Sequence, residues 1–303
     1  MRVTIITPGW PLHHRYFCAY LAERHDVVSV VHPLPPSRGT YARVRREGRR
    51  IAQLGLVDGA LHALASAPAG VSGWSRSRAL RDADSRFFGD ASEYYQRVGV
   101  DRVARTVRDV NSPESIALVR DLAPDVVVCH GGPIYGRDLI EACGTMLNFH
   151  SGISPVYNGA STVMFAFANG HVQLCGGTLM TMSATVDGGE ILAHYLPAIE
   201  PDDDPASLFM KTVRGAAHVY SSFLGEYGQR GTFTSVPQTP PLFYCTSNGW
   251  TLHETRQVRR HLVRQTARAH VREERLSAYW NRSSDEEAGR AMRRTVEELL
   301  GFT

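Results

Sequence analysis

Lysine is almost missing from this chain: Lys211 is the single one, so arginine carries the basic charge, and the formal net charge is only +3 over 303 residues. A balance so near zero gives little general attraction to phosphate backbones and argues against a nucleic-acid partner. The arginine bias reads as that of a GC-rich genome rather than as a binding surface. Cysteine is sparse and unpatterned. Cys18, Cys129, Cys143, Cys175 and Cys245 are odd in number and lack CxxC spacing, which argues against a disulfide frame or a thiolate zinc site and fits a reducing cytoplasm. No apolar run approaches the ~18 residues of a membrane span, and no charged and apolar leader precedes the first strand pattern, so neither membrane nor secretion is expected. The turn Thr7-Pro8-Gly9-Trp10-Pro11 after that strand lacks GxGxxG, which argues against a nicotinamide dinucleotide site. His13 and His14, adjacent on the helical pattern that follows, are expected to point apart at the surface with no third ligand beside them, and no metal is expected.

What is present is enough apolar content, 43%, to build one large or two smaller cores. Val3 to Thr7, a helical pattern through Tyr16 to Leu21, and Val27 to Val31 form a strand, helix, strand unit whose right-handed crossover makes the strands parallel. An Arg-rich and then Ala-rich stretch from Ser37 to Ser92 reads as an inserted amphipathic helix, with an anionic-substrate patch as the alternative reading; Ser75 to Ser85 has no clear pattern. Ser112 or Asn111 caps a helix with Pro113 in its first turn. Pro124 to Cys129 is a continuous apolar run suited to a central strand buried on both faces. His130-Gly131-Gly132-Pro133-Ile134 follows at that strand's carboxyl end, where open α/β sheets place ligands. Thr145 to Asn148 is the next strand, Val163 to Asn169 a helix closed by Gly170, and Thr178 to Ser183 pairs antiparallel with Ile191 to Ile199. Asp202-Asp203-Asp204-Pro205 caps a helix from about Ala206 to Tyr227. The expected fold class is therefore α/β, a Rossmann-like, mostly parallel sheet with helices on both faces and a small helical C-terminal region. A Thr, Ser and Pro-rich linker near residues 231–241 divides an expected domain at 1–235 from an extension at 236–303. Residues 253–303 carry eleven arginines and eight acids. A helix expected from about Leu252 to Trp280 is too polar to form a core alone and must dock on the first domain or on a second subunit.

The stretch the rest serves runs from Asn148 to Gly189. Asn148 and His150, one residue apart at a strand end, leave the same face of the sheet. Asp187, in a Gly-flanked turn, returns to the imidazole if the intervening helix and strand fold back. Amide, imidazole and carboxylate together would form a proton-handling site. The pieces Asn148-Phe149-His150, Pro155-Val156-Tyr157-Asn158-Gly159 and Asp187-Gly188-Gly189, with Asn169-Gly170 and Gly177-Thr178 in order between them, resemble the formyltransferases that use 10-formyltetrahydrofolate. The resemblance covers roughly residues 1–225. Met180 stands where the family commonly has His and Asn158 where it commonly has Arg, and both positions are expected to bear on substrate choice, favouring a less anionic amine than a purine nucleotide.

The resemblance implies a cytoplasmic N-formyltransferase that moves a formyl group from 10-formyltetrahydrofolate to the amine of a small molecule, in natural-product or amino-sugar biosynthesis. It implies Asn148, His150 and Asp187 as catalytic and Gly131, Gly132, Pro133, Ile134 and Val186 as cofactor contacts. A carrier-bound substrate and a homodimer through the C-terminal region stay open. Initiator methionyl-tRNA is disfavoured, because the C-terminal segment lacks the strand-rich, Lys-studded composition of a tRNA-gripping barrel. The competing readings are a binding module that kept the fold without the activity, and a glycosyltransferase, which would leave the order of Asn148, His150 and Asp187 unexplained.

Overall fold

The computed structural model describes residues 1–35 and 75–301. The expectation for the Arg-rich stretch from Ser37 to residue 74 lies outside them. Strand β1 (Arg2–Ile6) leads through α1 (Leu12–Ala22) to β2 (Asp26–Pro33), and β1 and β2 pair in parallel. The patternless stretch near Ser75 is helical, as α2 (Arg76–Phe88) and α3 (Ala91–Val98). A short strand β3 (Ala104–Val107) then joins β2 in parallel. It carries a single apolar alternation, too brief to register in the sequence.

Ser112 caps α4 (Pro113–Leu122) through a hydrogen bond from the Ser115 amide, and β4 (Val126–His130) follows. Its lack of alternation has a physical cause. Val126 and Val128 pack with Val3, Ile5, Phe17 and Phe223 on one face, whereas Val127 and Cys129 pack with Ile6, Val31, Ile116 and Leu139 on the other. Each face therefore needs apolar side chains, and each fully buried one contributes ~1.5–3 kcal/mol. Helix α5 (Arg137–Cys143) returns the chain to β5 (Met146–His150), parallel to β4.

Beyond β5 the sheet turns antiparallel. Short β6 (Tyr157–Gly159) and α6 (Thr162–Ala168) precede β7 (Gly177–Thr181), which runs against β5, and β8 (Ile191–Leu196), which runs against β7. Helix α7 (Pro205–Arg230) begins with a reciprocal cap between Asp204 and Ser207 and ends at Gly231 in the left-handed conformation, where only a residue without Cβ sits at ease. It covers the sheet with Tyr220 and Phe223 against Phe17 and Phe149.

The C-terminal region departs from the single helix expected over Leu252 to Trp280. It forms β9 (Phe243–Cys245), α8 (Leu252–Val263), β10 (Arg275–Ala278) and α9 (Asp285–Leu300). Half-buried Arg272 ends the helical register: its guanidinium donates to the carbonyls of Pro197, Gln173 and Cys175, drawing the chain to the sheet edge, where β10 pairs antiparallel with β8. The strand order is β10-β8-β7-β5-β4-β1-β2-β3, and β9 pairs in parallel with β6 apart from it. Between β1 and β4 the connections diverge to opposite sides, which opens a crevice beyond their carboxyl ends. No helix among the described residues is long and apolar enough to cross a membrane.

Candidate functional site

The carboxyl ends of β4 and β5 open on a cavity of about 580 Å³, within the usual range for small-ligand sites. Asn148, His150, Asp187, Gly131, Gly132, Pro133, Ile134 and Val186 all line it. β5 delivers Asn148 and His150 as the two-residue spacing requires, and the β7 to β8 turn carries Asp187 back to them. The Asn148 amide donates to Asp187 Oδ1 at 3.4 Å, and His150 Nδ1 lies 3.4 Å from Asp187 Oδ2.

The tautomer of His150 follows from its other nitrogen. Nε2 lies 2.9 Å from the Tyr157 carbonyl, which can only accept, so Nε2 carries hydrogen. In the neutral ring Nδ1 is then a bare lone pair directed at a carboxylate. That contact is attractive only where Nδ1 carries a proton. Gly152 makes the ring position possible: a Cβ there would fall between the His150 ring and the Tyr157 carbonyl.

Asp187 is held from several sides. Its backbone is left-handed, with φ 51°, a conformation Asp tolerates better than most residues. The Gly159 amide donates to Oδ2 at 2.9 Å, and the Asn158 and Gln238 side-chain amides donate to its carbonyl at 3.0 and 2.9 Å. Gln238 also donates to the Gly189 carbonyl. Gln238 lies in the stretch whose composition reads as linker, so the sequence offered no signal for it. Asn158 and Met180 correct the expectation that they bear on substrate choice. Both are buried, neither lines the cavity, Asn158 holds the Asp187 carbonyl, and the Met180 sulfur accepts from Gln238. The inference of a less anionic amine from these two residues loses its basis.

The family-like residues farther out tie the frame together. Thr178 donates to the Gly152 carbonyl and accepts from the Ser154 amide, and Asn169 donates to the Tyr157 hydroxyl. On the β4 side, Asn111 straps the loop by accepting from the Gly136 amide and donating to the Ile134 carbonyl, and the Tyr135 hydroxyl donates to the Gly131 carbonyl. Gly131 and Gly132 take φ of 64° and 114°, and a Cβ at either would strike His14 or Tyr135. Ile134 and Val186 stand 72% and 42% exposed at the cavity, two apolar side chains with free surface for a planar ligand. The far wall comes from Gly159, Ala160 and Ser161 and, from β9 onward, Tyr244, Cys245, Thr246 and Ser247. The cavity lining contains no arginine or lysine among the described residues.

His13 and His14 correct the expectation that they point apart. Their rings lie 4.3 Å apart between centroids, and His130, at the end of β4, lies 5.1 Å from His14. All three line the same cavity.

Comparison with known proteins gives one family model, described as formyl transferase, which matches residues 57–224. Methionyl-tRNA formyltransferase of Myxococcus xanthus is 34% identical over 131 residues, 43% of this chain and 41% of that protein. The same-named protein of Geobacter metallireducens is 36% identical over 138 residues, 44% of this chain and 43% of that protein. The chain thus spans less than half the length of these curated relatives. Among solved structures, a sugar N-formyltransferase from a Shewanella species aligns with 85% of this chain and 86% of its own at 13% identity and a TM-score of 0.49.

Proposed function

Because the chain belongs to the formyl transferase family, its model matching residues 57–224, we propose that it transfers a formyl group from 10-formyltetrahydrofolate to the amine of a small molecule. The observation that carries this reading is the convergence of Asn148, His150 and Asp187 at the end of β5, in a cavity that also holds the loop from Gly131 to Ile134. The loop suits the cofactor: main-chain groups freed by two glycines, with Ile134 and Val186 as apolar flanks. When bound, the cofactor supplies the formyl group. Asn148 donates a hydrogen bond to the carbonyl oxygen as charge builds on it, an interaction typically worth ~10²–10³ in rate. His150, with Nε2–H committed to Tyr157, would take the proton shed by the attacking amine on Nδ1, with Asp187 stabilising the imidazolium, and would return it to the nitrogen that departs as the old carbon–nitrogen bond of the formyl group breaks. A cavity lining without arginine or lysine among the described residues suits an amine substrate without a phosphate at its reacting end, such as an amino sugar or a natural-product amine. Residues 253–301 add one strand to the main sheet and two helices, which is not a strand-rich barrel for gripping tRNA.

Calorimetry with 5-formyltetrahydrofolate, a stable mimic, tests the cofactor. Saturable binding is expected, and none at ~1 mM, which corresponds to less than ~4 kcal/mol, overturns the proposal. Turnover across a panel of amines tests the substrate. Amino sugars are expected to outrun glycinamide ribonucleotide and initiator methionyl-tRNA, and the reverse order defeats the reading of a small amine without a phosphate at its reacting end.

A further inference from the structure

At the crevice between β1 and β4, three imidazoles meet: His13 and His14 from the first turn of α1, and His130 from the end of β4. One ring nitrogen of each lies within 4.8 Å of the others. The hydrogen bonds around them settle which nitrogens are left to bind. His13 Nδ1 lies 2.7 Å from Asp84 Oδ1, a carboxylate oxygen that accepts, so Nε2 keeps the lone pair. Thr7 donates its hydroxyl hydrogen to the His130 carbonyl at 2.6 Å; its oxygen therefore accepts from His14 Nδ1 at 2.7 Å, and here too Nε2 keeps the lone pair. A histidine ligand ordinarily has its second nitrogen fixed in this way by a carboxylate or another acceptor. His130 is 4% exposed, and its Nδ1 has no hydrogen-bond partner among the described residues. A buried polar nitrogen left so is destabilising unless something else engages it.

We propose that His13, His14 and His130 bind a divalent transition metal of the zinc class, with Asp84 and Thr7 as the outer partners that orient two of the three rings. The hydrogen bonds that fix Nδ1 of His13 and of His14 leave Nε2 of each as a bare lone pair, the form that ligates. Three imidazoles are a donor set zinc accepts while keeping a fourth position open. Because all three rings line the cavity shared by Asn148 and His150, that position opens on the same space. Nothing in the formyl-transfer reading requires this metal, and its detection requires no folate.

The test uses the full chain, stripped with chelator and titrated with Zn²⁺ by calorimetry, with Co²⁺ as an optical probe of the ligand field. One equivalent is expected to bind, raising the melting temperature, and Co²⁺ should give the visible absorption of a four-coordinate site. Asp84→Asn, which keeps an acceptor beside His13, should weaken Zn²⁺ by ~10–100-fold. His13→Ala, the change at the least buried of the three rings, should weaken it further and abolish the Co²⁺ spectrum. Stoichiometric binding left unchanged by His13→Ala would assign the metal to other histidines and overturn the proposal, as would a folded wild-type protein that takes up no metal at micromolar Zn²⁺.

Discussion

At the residue scale, the candidate site turns on one imidazole whose two nitrogens face unlike acceptors, the Tyr157 carbonyl and the Asp187 carboxylate. Asp187→Asn keeps the size and removes the charge that makes a protonated Nδ1 favourable. It should fold and bind the folate mimic as wild type does, with its loss in kcat. His150→Ala should be similarly impaired, and the double variant scarcely worse than either single one, because residues acting on one transition state fail as a unit. Steady-state kinetics decides the matter: a folded Asp187→Asn enzyme that keeps more than about a tenth of wild-type kcat leaves under ~1.4 kcal/mol for the carboxylate to supply. The shared face of Asn148 and His150 was legible in their two-residue spacing on a strand, whereas the return of Asp187 to them was legible only through the order of the pieces that resemble the formyltransferases. The His13, His14 and His130 cluster was not. Neighbouring helix positions differ by roughly 100° in direction, so two adjacent histidines predict divergence, and their meeting depends on Asp84 turning one ring and Thr7 holding the other.

At the scale of elements, the site depends on two strands too short to carry a hydrophobic period, β6 and β9. They hold Gly159 so close to Cys245 that a Cβ would strike the Cys245 carbonyl, and Gly159 in turn gives its amide to Asp187. Gln238, just before β9, clamps the turn through the Asp187 and Gly189 carbonyls. Gln238→Ala is therefore expected to lower kcat about tenfold, ~1.4 kcal/mol in the barrier, while calorimetry shows folate binding nearly unchanged. A lowered melting temperature with full kcat would reduce Gln238 to a structural brace. The parallel half of the sheet was readable because β1, β2 and β4 are β-branched runs set between helical patterns, and β5 is a short run opening on apolar Met146 and Leu147. β9 and β10 were not, because a polar, Pro-rich approach and a run of arginines resemble linker and helix, and pairing with distant strands is a tertiary outcome.

At the scale of the whole molecule, the sheet's antiparallel half carries a buried histidine that couples folding to pH. His194, on β8, lies 2.7 Å from the Ser154 carbonyl through Nε2 and 2.9 Å from the Tyr279 hydroxyl through Nδ1. The carbonyl accepts, so Nε2 carries hydrogen and Nδ1 accepts from the tyrosine. Burial pushes the ring's pKa down to about 4, against an opposing hydrogen bond to Ser154. The unfolded chain, near 6.5, binds a proton that the native ring refuses, so this contribution to stability is present above pH 6.5 and is lost as pH falls toward 4, by up to ~1.4 kcal/mol per unit. The melting temperature should fall between pH 7 and pH 5, and His194→Gln should flatten part of that slope; an unchanged slope would place the titration elsewhere. The order of the strands also sets a schedule for the growing polypeptide. β8 is buried along its length, and its outer edge is covered by β10, so ribosomes moving at ~5–20 residues per second leave that edge bare for roughly 4 to 16 s between Leu196 and Ala278. An uncovered edge invites pairing with another chain. A transcript that stops before Arg275 would make that interval permanent.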